Sequence, residues 1–183
     1  MAKKSKPIPK PLEVIRRRRT QLVIAQGYRS LLVRCIVLAV VLLILLTQVF
    51  LITQVNGNGM YPALEDGDLI LAYRIPADYS KNDVVVYRAN GKTQIGRILG
   101  RSGDVITMND TGTLLVNGTN QAGEIFYPTY PREGAQYPYV VPEDSVYILG
   151  DYRTQTQDSR DFGPITEHAL QGKVITLLRR RGI

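Results

Sequence analysis

One stretch of the chain stands apart from the rest by polarity alone. From Cys35 to Val55 there are 21 consecutive residues without a charge. At about 1.5 Å per residue, a helix of that length reaches roughly 31 Å, the thickness of a bilayer's hydrocarbon core. A soluble core helix would carry a polar face, whereas the polar residues here are only Thr47, Gln48, Thr53 and Gln54. The run predicts a membrane span over Cys35–Val55. Beyond it the period changes. Short apolar or alternating runs recur at Leu69–Arg74, Val84–Arg88, Thr93–Leu99, Val105–Met108, Thr113–Val116, Ser145–Leu149 and Lys173–Leu178. Val, Ile, Leu and Tyr fill them, as suits a pleated, half-buried surface. Asn90-Gly91, Asn109-Asp110-Thr111-Gly112 and Asn117-Gly118 separate several of them and read as hairpin turns. The pattern predicts a mainly β protein, an antiparallel β-sheet domain behind one N-terminal transmembrane helix. Residues 122–142 break the rhythm: Tyr127, Tyr130, Tyr137 and Tyr139 alternate with Pro128, Pro131, Pro138 and Pro142. They read as an extended excursion across a sheet face, serving either packing or peptide binding.

Charge sharpens the division. The chain has 183 residues and a formal net charge of +7. Residues 1–34 hold ten basic residues against Glu13 alone, so the arm carries +9 and the rest −2. The excess could suggest nucleic acid, but its position beside an apolar run marks the cytoplasmic end of a membrane span. The expected organisation is a basic cytoplasmic arm (1–34), a signal-anchor helix (35–55) and an extracytoplasmic domain (56–183). A cleaved signal peptide fits poorly: arm and apolar run are too long, and no A-x-A-like site follows. Lys3–Pro11 is expected to be disordered and Val14–Val33 to form a basic helix on anionic lipid. Membrane lipids are therefore an expected partner, nucleic acid is not, and the expected location is the cell membrane, single-pass.

Two residue counts limit the chemistry. One Cys and one His cannot make an intramolecular disulfide or a four-ligand zinc site, and no metal or cofactor is expected. A Ser-His-Asp or Cys-His enzyme would have to use His168 or Cys35. Cys35 lies at the expected membrane boundary, where a thiol can be palmitoylated or stay inert. Asn109-Asp110-Thr111 and Asn117-Gly118-Thr119 match glycosylation triplets, but both are already explained as turns.

Four boxes then carry a resemblance. Val55-Asn56-Gly57-Asn58-Gly59-Met60-Tyr61-Pro62-Ala63-Leu64, followed by Gly67-Asp68, resembles the nucleophile box of type I signal peptidases, S-M-x-P-T-L-x-x-G-D. Asp83–Tyr87 resembles the next box. Gly96–Asp104 resembles K-R-V-x-G-x-P-G-D, which carries that family's general base. Gly150-Asp151-Tyr152-Arg153, with Asp158-Ser159-Arg160 and Gly163, resembles G-D-N-R…S-x-D-S-R-x-x-G. The resemblance covers residues 35 to 178 and implies a membrane-anchored protein that cleaves signal peptides with a Ser nucleophile and a Lys base. Such a Lys needs a dry pocket that depresses its pKa.

The sequence departs from that pattern where the chemistry resides. The Ser position is Gly59 and the Lys position is Gly96. Losing a nucleophile or a base from a serine-protease-type site costs on the order of 10⁶ in rate. No catalytic residue is therefore assigned. The resemblance implies a substrate cleft formed by Gly57, Gly59, Met60, Pro62, Ile95 and Gly96, supported by Arg97, Gly150, Asp151, Asp158, Ser159 and Arg160. Gly59 and Gly96 are expected to enlarge that cleft, and restoring Ser and Lys there together to recover some cleavage. The expected function is non-catalytic binding, or assistance in assembly, of an extended segment of a secreted or surface protein such as a pilin. The alternative is an active signal peptidase with a relocated catalytic group. For that role Thr156 offers a hydroxyl without an evident base, Lys92 is too far along the strand, and Ser102 and His168 lack placed partners.

Overall fold

The computed structural model describes residues 11–75, 78–121 and 127–179. The tract Lys3–Lys10 and residues 122–126 of the Tyr–Pro excursion lie outside the described residues. The chain divides between Leu46 and Thr47 into two compact units.

Helix α1 runs from Pro11 to Val49. It takes in the expected basic helix Val14–Val33 and most of the expected span. Its portion Gln26–Val49 is long and apolar enough to cross a membrane and is not covered by protein. Cys35 therefore lies inside the apolar portion rather than at its boundary. The helix also ends six residues before the expected Val55. Phe50–Gln54 forms strand β1, paired antiparallel with β2 (Leu69–Tyr73). Pairing turns Leu51 toward the core and leaves Ile52 66% exposed, an alternation the unbroken apolar run concealed.

The second unit is antiparallel β, as expected. β3 (Val84–Ala89), β4 (Lys92–Arg101), β9 (Ser145–Leu149), β10 (Ile165–Thr166) and β11 (Leu170–Leu178) join β1 and β2 in a seven-stranded sheet. Its order is β1-β2-β11-β3-β4-β9-β10. β5 (Val105–Met108), β6 (Leu114–Val116), β7 (Thr119–Asn120) and β8 (Tyr139–Val140) form a second sheet, ordered β7-β6-β5-β8. All seven expected strands are present, within a few residues at their ends. β1, β7, β8 and β10 were not expected; the last three have two residues each, too short for a visible period.

The turns follow their chemistry. Asn90 and Gly91 have φ of 50° and 74°, and Asn117 and Gly118 have 52° and 76°, so both hairpins close on left-handed pairs that match strand twist. In the loop at 109–112, the Asn109 side-chain oxygen accepts from the N–H groups of Thr111 and Thr113. Three apolar clusters fill the unit. The first surrounds Val85, Tyr87, Ile98, Val146 and Ile148, and the second Leu99, Ile106, Val141 and Leu149. The third holds Val55, Met60, Leu64, Ile70 and Val86. Within the Tyr–Pro excursion, Tyr137 and Tyr139 pack: the hydroxyls of Tyr137 and Tyr147 lie 2.7 Å apart and Tyr139 stacks on Tyr147.

Candidate functional site

The loop from Val55 to Asp68 is closed at its base. Val55 N–H donates to Asp68 C=O and Gly67 N–H to Val55 C=O. The buried Asp68 carboxylate accepts from the Glu65 N–H and from Nε and Nη2 of Arg179. The Arg179 hydrogen bond, helped by the Glu65 N–H, holds the Asp68 carboxyl below the usual carboxylate range despite burial. Within this frame Gly57, at φ 81°, donates its N–H to Asp66, and Met60 is buried in the third cluster. Gly59 C=O accepts from Tyr152 N–H at 3.0 Å, which joins the first box to the last.

The opposite wall is β4. A two-residue turn makes Ala89 and Lys92 a hydrogen-bonded pair, and Ile98 exchanges backbone bonds with Asn82 and Asp83. By alternation Gln94 and Gly96 direct their backbone groups to β3, while Thr93 and Ile95 turn theirs the other way. On that side β9 joins β4 only from Arg97 onward, so among the described residues no strand lies beside Thr93 and Ile95. Between this free edge and the segment Thr53–Met60 lies a groove of about 80 Å³. Its lining includes Val55, Gly57, Gly59, Met60, Thr93 and Ile95. Pockets for small molecules hold about 300–1,000 Å³, so this groove suits the short side chains of a strand. Four of the six expected cleft residues are thus brought together. Pro62 is exposed beyond the groove, and Gly96 is buried beneath it.

The supporting residues form two carboxylate–guanidinium pairs. Arg97 grips Asp151 with Nε at 2.8 Å and Nη2 at 2.6 Å, and its Nη1 donates to Asn82 C=O. Asp158 accepts from Nε, Nη2 and the backbone N–H of Arg160, both side chains almost fully buried. Asp158 also caps the short helix α2 (Ser159–Phe162) and accepts from Gly150 N–H and the Thr156 hydroxyl. Ser159 Oγ accepts from Ile148 N–H. A buried charge this well paired fixes geometry, and removing either partner would strand the other.

The two glycines do not open space as expected. A Cβ on Gly96 would strike Ile148 Cγ2, with Tyr87 Cε1 at 3.2 Å and Leu149 C=O at 3.3 Å. Position 96 shares a sheet face with Tyr87 and Ile98, so any side chain there would enter the first cluster. At Gly59 a Cβ would lie 3.1 Å from the Thr156 methyl carbon. Thr156 also crowds Gly150, where an added Cβ would overlap it. Its hydroxyl donates to Asp158 at 2.9 Å and faces no lysine or histidine bond among the described residues. The volume at 96 is filled by Ile148 and Tyr87, and that beside 59 by Thr156.

Two features of the site went unread in the sequence. Tyr152 stacks between Tyr127 (ring centroids 4.7 Å apart) and Tyr61 (6.2 Å), forming an aromatic row beside Gly59. Arg153 is 1% exposed, and burial pushes its pKa down to about 10, partly offset by Asp151 and Asp158. Tyr152, which stands where the resembling box has Asn, was the available signal for the row. Nothing local marks Arg153 as buried.

The geometry can be set beside known proteins. The family model "Signal peptidase, peptidase S26" matches residues 28–178. The mitochondrial ATP-independent inner membrane protease subunit 1b of Arabidopsis thaliana is 32% identical over 126 residues, 65% of this chain and 64% of that protein. Signal peptidase I of Bacillus licheniformis is 30% identical over 145 residues, 70% of this chain and 76% of that protein. A crystal structure of a signal peptidase I from Enterococcus faecalis V583 is matched at a TM-score of 0.47 and 24% identity, over 56% of this chain and all of that one. The chain thus spans about two thirds to three quarters of the length of these two relatives, with the four boxes in order within the matched range. It belongs to the signal peptidase, peptidase S26, family.

Proposed function

We propose that this chain is a membrane-anchored signal-peptidase-like protein without cleavage activity, which holds an extended segment of a secreted or surface protein such as a pilin. The observation that carries this reading is position 96. Gly96 offers no amine, and its side-chain space is filled by Ile148 and Tyr87, so the place of a general base is occupied by apolar packing. The groove survives independently, with the free edge of Thr93–Ile95 on one wall and Val55–Met60 on the other. An added strand would gain backbone hydrogen bonds from that edge and select small side chains in the groove. The basic residues preceding the apolar helix support an orientation with the N-terminus in the cytoplasm and the sheet domain outside, at the cell membrane.

The test is cleavage of a signal-peptide-bearing precursor by the detergent-solubilised full chain, alongside binding of extended peptides. The expected result is binding with no turnover above a no-enzyme control. Turnover would overturn the proposal in favour of a relocated group. Thr156, whose hydroxyl-bearing side chain sits beside Gly59, would then be the candidate, and Thr156→Val should abolish that turnover.

A further inference from the structure

The groove beside Gly59 changes character along its length. β4 sets its direction. Leu149 pairs with Arg97, and Gly150, the next residue, lies against Gly59 C=O. Gly59 is therefore at the Arg97 end of β4, with Ile95 the nearer residue of the free edge and Thr93 the farther one. On the facing wall, Thr53 is the lining residue farthest from Gly59 along the chain.

Strand pairing shows which side chains turn inward. Thr53 stands opposite Ile70, and Leu51 opposite Ala72. Ile70 and Ala72 belong to the third apolar cluster, so Thr53 lies on that inner face of the sheet. Ile95 stands opposite Val86 of the same cluster, and Thr93, two residues away, shares its face. The outer end of the groove thus receives one threonine from each wall. Thr53 is half-buried and Thr93 exposed, and among the described residues neither hydroxyl is hydrogen-bonded. Other polar groups of the lining are engaged. Gln94 accepts from the Tyr87 hydroxyl on the opposite face, Gln54 donates to Gly67 C=O, and Asn56 to Gln54 C=O. Toward Gly59 the lining is Val55, Gly57, Met60 and Ile95, without a hydrogen-bonding side chain.

We infer that Thr53 and Thr93 form a hydroxyl-selective subsite, which takes a Ser or Thr of the bound segment two residues from its small apolar residue, on the side away from Gly59. The inference rests on the binding function proposed above and specifies its ligand. A strand added beside β4 turns alternate side chains into the groove, about 6.6 Å apart, the same repeat that separates Ile95 from Thr93. One inward residue meets the apolar end and the next meets the two threonines. An apolar side chain at the second place strips water from both hydroxyls and returns no hydrogen bond. A hydroxyl both donates and accepts, so one Ser or Thr can serve both threonines. The groove's volume of about 80 Å³ excludes long polar side chains.

The experiment uses the full chain in detergent and labelled extended peptides that share one Ala, with the residue two positions before or after it set to Ala, Val, Ser, Thr or Asp. Affinity is read by fluorescence anisotropy. On one side of the Ala, Thr should bind about threefold to tenfold more tightly than its isostere Val, and Ser more tightly than Ala. The double variant Thr53→Val with Thr93→Val should lose that preference. Thr53→Ser with Thr93→Ser keeps both hydroxyls and should retain it. Equal binding of the Thr and Val peptides at both positions overturns the subsite and leaves the groove standing. Persistence of the preference in the Val variant, or its loss in the Ser variant, overturns the assignment to these two hydroxyls. Arg88 is exposed and stands opposite Thr93 in β3, so tightest binding by the Asp peptide would assign the position to charge and overturn hydroxyl selection. Binding of no peptide overturns the proposed function, and the subsite with it.

Discussion

Gly96 shows how an absent side chain becomes structural. Packed interiors tolerate neither voids nor intruders. Ile148 and Tyr87 fill the side-chain space at position 96, so a lysine placed there means overpacking. Gly96→Lys should destabilise the chain by about 1–3 kcal/mol, and Ile148→Ala, which leaves a cavity, by about 2–5 kcal/mol. Combined, they should cost less than their sum, since each relieves the other's fault. Urea unfolding of the four chains measures that coupling. Simple additivity would mean that Ile148 does not hold the space. Gly59→Ser with Gly96→Lys should then fail to restore cleavage unless Ile148 is also trimmed. The sequence displayed glycine at 59 and 96 plainly. It concealed what packs there, because Ile148 reaches position 96 through the register between β4 and β9, which shifts between Ile98 and Gly100. No local pattern encodes such a contact.

At the level of elements, turn chemistry and strand periodicity were legible, and pairing was not. Asn-Gly fixes a hairpin through two left-handed residues, a property of those residues alone. The fate of Phe50–Gln54 depends on β2, fifteen or more residues away, so composition assigned it to the helix. The free edge of β4 is likewise a consequence of where β9 begins pairing. That edge has a direct test. Thr93 turns its N–H away from β3, so Thr93→Pro removes an outward donor and leaves the inner ladder intact. The variant should fold with little change in Tm yet bind extended peptides several-fold more weakly, as read by fluorescence anisotropy. Unchanged affinity would remove β-strand addition from the proposed function.

Across the sheet unit, Arg179 at the end of the described residues clamps Asp68 in the loop between β1 and β2. Because the folded-state pKa of Asp68 is depressed, the clamp stabilises fully above the ordinary carboxylate pKa of about 3.9 and loses that contribution as pH falls through the folded value. Arg179→Met should therefore lower the Tm at neutral pH, and the gap from wild type should close in acid. A gap that persists once Asp68 is protonated would assign the effect to packing. The separation of charge, +9 in residues 1–34 against −2 beyond, was readable from the start and still supports the orientation. The early end of α1 carries a different consequence. The uncharged stretch Cys35–Val49 gives about 22 Å of helix, so a crossing of about 30 Å draws on the rest of the apolar portion Gln26–Val49 and takes in Leu31–Val33 and Arg34. The Arg34 guanidinium must then snorkel to the headgroups along its own methylene stem. Bilayer thickness therefore sets how far that charge has to reach, and lipid thickness becomes a variable in how the protein is retained and assembled.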